Sequence, residues 1–288
     1  MYTRSNFENI LMVNKAIHYI YRSLGARYVK EFAETFNFDS NYLYQDSIIG
    51  AQYLAKKIAN HYHLPVKAVV VTFSSSLKQP GIVELSSSDD FFVELQIQYQ
   101  SDPKSIAAIL AHEVAHIFLH KSNMRFPEEH DNEVLTDTVA AYFGFGPTIL
   151  NAVTQNKRRV FANTVETKVH HFGYLSLQEF GYILAKRDAV YGRKSSRWAS
   201  IPENFPSAVR SGASLYYNEL GSRPLIPRPW SQSFLHSLSQ LKNIGPPMDT
   251  KSIEFSCPCC SQRLRIPELF KKLSVHCQNC ESRFPCFS

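Results

Sequence analysis

The chain has 288 residues, 44% of them hydrophobic and 19% charged, with a net charge of +6. That length and apolar content suit one or two folded domains and exclude an intrinsically disordered chain. No run of about eighteen apolar residues occurs, so the sequence reads as cytoplasmic, with no membrane span or secretory leader.

Residues 1–62 read as helices. Ile17, Tyr21, Leu24 and Tyr28 recur at helical spacing, and Ile48, Tyr53, Leu54 and Ile58 do so less regularly. The pattern changes after His63-Leu64-Pro65. Residues 68–73 are short and β-branched and predict a strand, and 82–85 predict a second. Residues 91–99 alternate, with Phe91, Val93, Leu95, Ile97 and Tyr99 on one face and Glu94, Gln96 and Gln98 on the other. A third strand with one polar face is expected near a sheet edge or a cleft, where its edge can pair with substrate backbone.

Asp102 followed by Pro103 is a helix start, and apolar residues from Ile106 to Phe118 carry that helix to about residue 121. A second helix is predicted from Pro127-Glu128-Glu129 to a stop at Gly144, and a third from Leu175 to about Tyr191. Residues 63–199 thus form the expected core. Residues 200–251, rich in Pro and Ser, read as an extended linker, and 252–288 as a final module; no internal repeat is evident.

Within the first core helix stand His112-Glu113-Val114-Ala115-His116. Two histidines four apart lie on one helix face, one turn apart, at a separation that one metal ion bridges. Glu113 is rotated by about 100° from His112, so it reaches a water at the metal without ligating the metal. The surrounding residues are apolar, and polar groups inside such a helix carry a penalty that a metal removes. His120 is too far along, since a straight helix sets i and i+8 about 12 Å apart. The better third ligand is Glu133 on the next helix. Asp137, one turn later on the same face, is placed to accept the N–H of a ligating imidazole.

His112-Glu113-x-x-His116 followed by Asn132-Glu133-x-x-x-Asp137 resembles the gluzincin signature of thermolysin-type metallopeptidases. The small size is similar to the ImmA/IrrE group of peptidases. The resemblance implies an α+β fold with a short β-sheet and a zinc-bearing helix. It also implies Zn²⁺ ligands at His112, His116 and Glu133, a general base at Glu113 and an orienting carboxylate at Asp137. The implied activity is zinc-dependent hydrolysis of a peptide bond in a protein or peptide substrate. The transition-state stabiliser is not assigned by motif; His171 and Tyr174 lie in a suitable downstream segment.

All six cysteines lie between Cys257 and Cys286. Cys257 and Cys260, then Cys277 and Cys280, make two CxxC pairs sixteen residues apart. That pattern points to a second, structural Zn²⁺ in a separate zinc ribbon, with 264–267 as a strand between the knuckles and Phe284 closing a small core. Cys259 and Cys286 are left over, and either is a substitute ligand. Four thiolates leave no open coordination position, and so short a module needs its metal to fold.

Two other readings stay open. Twelve Lys or Arg against five Asp or Glu occur from Gln155 to Trp230. With the ribbon, this basic 155–230 segment suits a nucleic-acid partner, as in an SprT-like protease acting on DNA-bound protein; a merely solvated face is the simpler account. A protease fold serving as a non-catalytic sensor is the other, although an intact Glu113 argues against it.

Overall fold

The computed structural model of the chain describes residues 7–37, 41–85, 89–153, 159–161, 164–166, 173–191, 207–221, 252–268 and 272–287. Four helices come first: α1 (Ile10–Leu24), α2 (Ala26–Lys30), α3 (Asn41–Gln45) and α4 (Ser47–His61). Asp46 caps α4, accepting from the backbone N–H groups of Ile48 and Ile49. Three strands follow: β1 (Ala68–Ser74), β2 (Gly81–Glu84) and β3 (Asp90–Gln96). Next come α5 (Pro103–Lys121), α6 (Glu129–Ala140) and α7 (Gly146–Val153). A short hairpin of β4 (Arg159–Phe161) and β5 (Thr164–Glu166) precedes α8 (Leu177–Tyr191) and α9 (Ser207–Gly221). Four strands close the chain: β6 (Ser252–Ser256), β7 (Arg263–Pro267), β8 (Lys272–His276) and β9 (Arg283–Phe287). The fold is mixed α+β, and no helix among the described residues is long and apolar enough to cross a membrane.

The three-stranded sheet has the order β1-β3-β2, with β3 parallel to β1 and antiparallel to β2. Phe91, Val93 and Leu95 of β3 are fully buried while Phe92 and Glu94 are exposed, so the alternation does what period two requires. The expected position of this strand is corrected, however. It ends at Gln96, gives way to a 3₁₀ turn over Ile97–Tyr99, and is central. Its backbone is engaged on both sides, and β1 and β2 are the edges of the sheet.

Helix α5 begins as its sequence dictates. Asp102 accepts from the backbone N–H and the hydroxyl of Ser105, and Pro103 takes the first turn, where no N–H is needed. It ends in a Schellman turn. Met124 N–H donates to the Leu119 carbonyl at 2.9 Å, Asn123 N–H donates to His120 at 3.1 Å, and Asn123 takes φ 51°. Phe126 N–H then donates to Asn132 Oδ1, tying the turn to α6. The two helices that carry the acidic and imidazole groups are therefore fixed to each other at this corner.

The predicted stop at Gly144 is a kink instead. Residues Ala141–Phe145 form a π-helical turn, Gly144 takes φ 109°, and Pro147 sits in the first turn of α7, where proline is tolerated. A β-carbon at Gly144 would lie 2.6 Å from the Glu34 carbonyl oxygen, so only glycine fits this close approach. Arg187 of α8, fully buried, fills the same region. Its guanidinium donates to the carbonyls of Tyr142, Phe32, Ala33 and Glu34. Helix α8 starts with a capping box: Ser176 Oγ accepts from Glu179 N–H, and the Glu179 carboxylate accepts from Ser176 N–H and from Asn9 N–H.

Helix α9 stands inside the stretch expected to be an extended linker. Val209, Ala213 and Tyr216 recur at helical spacing, are fully buried, and α9 packs along α8. The proline content of the flanking sequence masked that periodicity. The remainder of the expected linker, 200–206 and 222–251, lies outside the described residues.

The C-terminal module is two antiparallel hairpins, β6-β7 and β8-β9. Contrary to the expectation of no repeat, the hairpins superpose in sequence at an offset of twenty residues: Cys257 with Cys277, Cys260 with Cys280, Arg263 with Arg283, Ile266 with Cys286. Ser261 and Glu281, each following the second cysteine, both take left-handed φ, at 60° and 57°. Ile266, Val275 and Cys286 form a small core of their own, with Phe255, Leu264 and Phe284 packed against it. The knuckles also dock on the helices. Lys186 Nζ donates to Ser261 Oγ, which donates to Asn14 Oδ1 at 2.7 Å, and Tyr216 donates to the Pro258 carbonyl.

Candidate metal centre

Helix α5 is buried on nearly every side, and His112, Glu113 and His116 break its apolar surface where it meets a cleft of about 780 Å³. The edge strand β2 forms one wall of that cleft and the α5–α6 corner another. The side chains of His112, His116 and Glu133 are only 16%, 15% and 18% exposed, and they converge. Nε2 of His112 and Nε2 of His116 are 3.1 Å apart. Glu133 Oε2 is 3.2 Å from the first and 3.4 Å from the second.

These separations match the edges of a coordination tetrahedron. Donors at about 2.0–2.1 Å from a zinc ion stand about 3.3–3.4 Å from one another. The chemistry of the donors agrees. Asp137 Oδ1, 2.8 Å from His112 Nδ1, accepts that nitrogen's proton, so Nε2 is left as a lone pair pointing at a carboxylate oxygen and a second ring nitrogen. Acceptors turned toward one another repel unless a cation lies among them. His112, His116 and Glu133 thus fit a metal ion.

The charges around these groups shift their proton affinities. Burial disfavours a charged His112, but the Asp137 and Glu133 carboxylates outweigh it and hold the imidazole pKa well above the ordinary histidine value. Burial also works against ionised Glu133, yet the two imidazoles pull its pKa down to about 2. Glu113 is different. Burial dominates and raises its pKa.

Sequence reasoning missed the supports of this centre. Gly173, at φ 90°, lies against Asp137: a β-carbon there would be 2.4 Å from both carboxylate oxygens. Asp137 Oδ2 also accepts from Tyr174 N–H at 2.6 Å and from Leu175 N–H at 3.2 Å, so its carboxylate is held from the side opposite His112. Gly81, the first residue of β2, leaves the room that Glu113 occupies, since a β-carbon there would be 2.9 Å from Glu113 Oε1. Thr136 Oγ1 is 3.2 Å from His116 Nδ1. Gly81, just before the strand predicted at 82–85, and Gly173, just before the helix predicted from Leu175, are the signals the sequence offers, and neither names the carboxylate that meets it. Tyr174 lines the cleft and is half exposed, whereas His171 lies outside the described residues. His120 stands at the cleft wall and is no member of the converging group.

The second group is the four-cysteine cluster of the ribbon. Cys257, Cys260, Cys277 and Cys280 are at most 2% exposed, and their sulfur atoms lie within 4.8 Å of one another. The Cys257–Cys280 and Cys260–Cys277 distances are each 3.6 Å, close to the ~3.8 Å of a tetrahedral zinc–thiolate site. Cys259 is outside the group, and Cys286 takes the core position that Ile266 fills in the other hairpin, where burial pushes its thiol pKa up to about 11.

Compared with family models, with curated proteins and with solved structures, the chain has no match. Its function has to be argued from the residues and their geometry.

Proposed function

We propose that the cleft is the active site of a gluzincin-like zinc peptidase and that the ribbon zinc is structural. The observation that carries this reading is the convergence of His112, His116 and Glu133 beside a buried carboxylate that belongs to neither ligand set. A zinc ion held there supplies a Lewis acid that polarises a carbonyl and acidifies water. The chain's own groups do the rest. Glu113, its pKa raised by burial, takes the proton of the attacking water and returns it to the leaving amine. Asp137 keeps His112 in one tautomer and one plane.

Tyr174 serves as a hydrogen-bond donor to the developing oxyanion. Burial and the nearby Glu133, Glu129 and Asp137 carboxylates raise its pKa, so its hydroxyl stays protonated. Substrate lies along β2. Among the described residues β2 is paired only with β3, and it lines the cleft, so its outer edge offers backbone groups to an extended peptide. Six free cysteines with a four-thiolate site suit a reducing, cytoplasmic setting.

The nucleic-acid reading gains no comparable support. Much of the basic 155–230 segment lies outside the described residues, and two of its twelve cations, Lys186 and Arg187, are fully buried.

The test is cleavage of an unfolded protein substrate by the purified chain and by Glu113→Gln. Wild type cleaves and stops when the metal is chelated; the variant keeps its metal and does not cleave. Equal cleavage by both proteins would overturn the assignment.

A further inference from the structure

Thr136 is a fully buried polar residue on α6, between Glu133 and Asp137. Its hydroxyl has a single hydrogen, which it donates to the Asn132 carbonyl at 2.9 Å, the i to i−4 bond common to helical threonines. The lone pair that remains faces Nδ1 of His116 at 3.2 Å. An acceptor at that place keeps the imidazole proton on Nδ1. The opposite tautomer would set a bare Nδ1 against an oxygen whose only hydrogen is already given away. Nε2 of His116 is then a lone pair, aimed at the same point as Nε2 of His112 and Oε2 of Glu133.

We propose that Thr136 is a positioning residue for the cleft metal, fixing the tautomer and ring plane of His116 as Asp137 fixes those of His112. Two consecutive residues of α6 thus orient the two histidines of α5. The proposal rests on the cleft being a metal site, and its test reads metal affinity rather than cleavage, so that the two can fail separately.

Zinc alone is the probe, titrated into the full chain against a chromophoric chelator, with the ribbon ion as internal reference. Thr136→Val keeps the β-branched shape and removes the acceptor. It is expected to weaken cleft zinc binding by about 10–100-fold, the usual effect of removing a group that orients a ligating histidine. Thr136→Ser, which restores the hydroxyl, is expected to bind as wild type does, and the ribbon site is unchanged in all three proteins. Wild-type affinity in Thr136→Val, or equal weakening in Thr136→Val and Thr136→Ser, overturns the role. A wild-type chain that takes up no cleft ion sinks the metal reading, and this proposal with it. Nitrogen-15 NMR of the zinc-loaded wild type needs no variant: a proton on Nδ1 of His116 agrees, and a proton on Nε2 contradicts.

Discussion

The cleft group and the ribbon group both gather metal-ligating atoms within 4.8 Å of one another, yet they differ in every other respect. The ribbon offers four soft thiolates, sealed from solvent and fixed by two matching hairpin turns. The cleft offers two imidazoles and one carboxylate, partly exposed beside a large opening. Four protein donors saturate a tetrahedral ion, whereas three leave a position for chemistry. The surroundings divide in the same way. Around the cysteines lie backbone turns and a small apolar core. Around the histidines lie Asp137, Thr136, Gly173 and Gly81, each placed to orient or make room for a functional side chain.

Breaking the ribbon should have the largest effect. Structural zinc in small modules contributes on the order of 10–16 kcal/mol of apparent binding free energy, so Cys277→Ser should leave β6–β9 unfolded. Because Ser261 and Pro258 are hydrogen-bonded to α1, α8 and α9 side chains, the melting temperature of the whole chain should fall as well. Hydrogen exchange resolves the two parts. Full protection of the helices at an unchanged midpoint would show that docking contributes nothing.

On the cleft side, Glu113→Gln should lower the cleavage rate by about 10²–10⁴-fold with both ions retained, the span expected for loss of a general base. Glu133→Ala should also lose cleavage, but by another route: elemental analysis should find the ribbon ion alone. A smaller effect is expected from Gly81→Ala. The added methyl would lie 2.5 Å from Ile109 Cγ2 and 2.9 Å from Glu113 Oε1, so it should displace the base and slow cleavage less than Glu113→Gln does, at unchanged metal content. Wild-type rates in Gly81→Ala would show that Glu113 has no need of that space.

The weakest contrast is one of pH, in chain stripped of the cleft ion. The folded pKa of His112 is raised, so its contribution to stability is complete below the unfolded value of 6.5 and fades as pH climbs through the raised one. Glu133 is depressed from 4.5 to about 2, so its contribution is present above 4.5 and is lost as pH falls through about 2. Thermal melts across pH should show a metal-free cleft that loosens at both extremes. Zinc uptake, which must displace the His112 proton, should strengthen as pH rises. A flat profile for both quantities would contradict the charge arrangement.

Much of this was legible in the sequence because the signals are local. The cap at Asp102, the spacing of His112 and His116, the Glu133–Asp137 turn and the CxxC pairs all depend on residues within a few turns of one another. What the sequence hid depends on long-range placement. The central position of β3 follows from a parallel pairing with β1 that no alternation pattern encodes. Helix α9 is read from three buried residues that only the packing against α8 makes decisive. The roles of Gly81 and Gly173 exist only because a carboxylate from another element arrives beside each.

The most direct measurement is anomalous X-ray scattering at the zinc edge from crystals of the full chain. The account predicts two peaks, one amid the four cysteine sulfurs and one bounded by Nε2 of His112, Nε2 of His116 and Oε2 of Glu133. A single peak at the cysteines, with the two imidazoles parted and Glu133 turned to solvent, would contradict it.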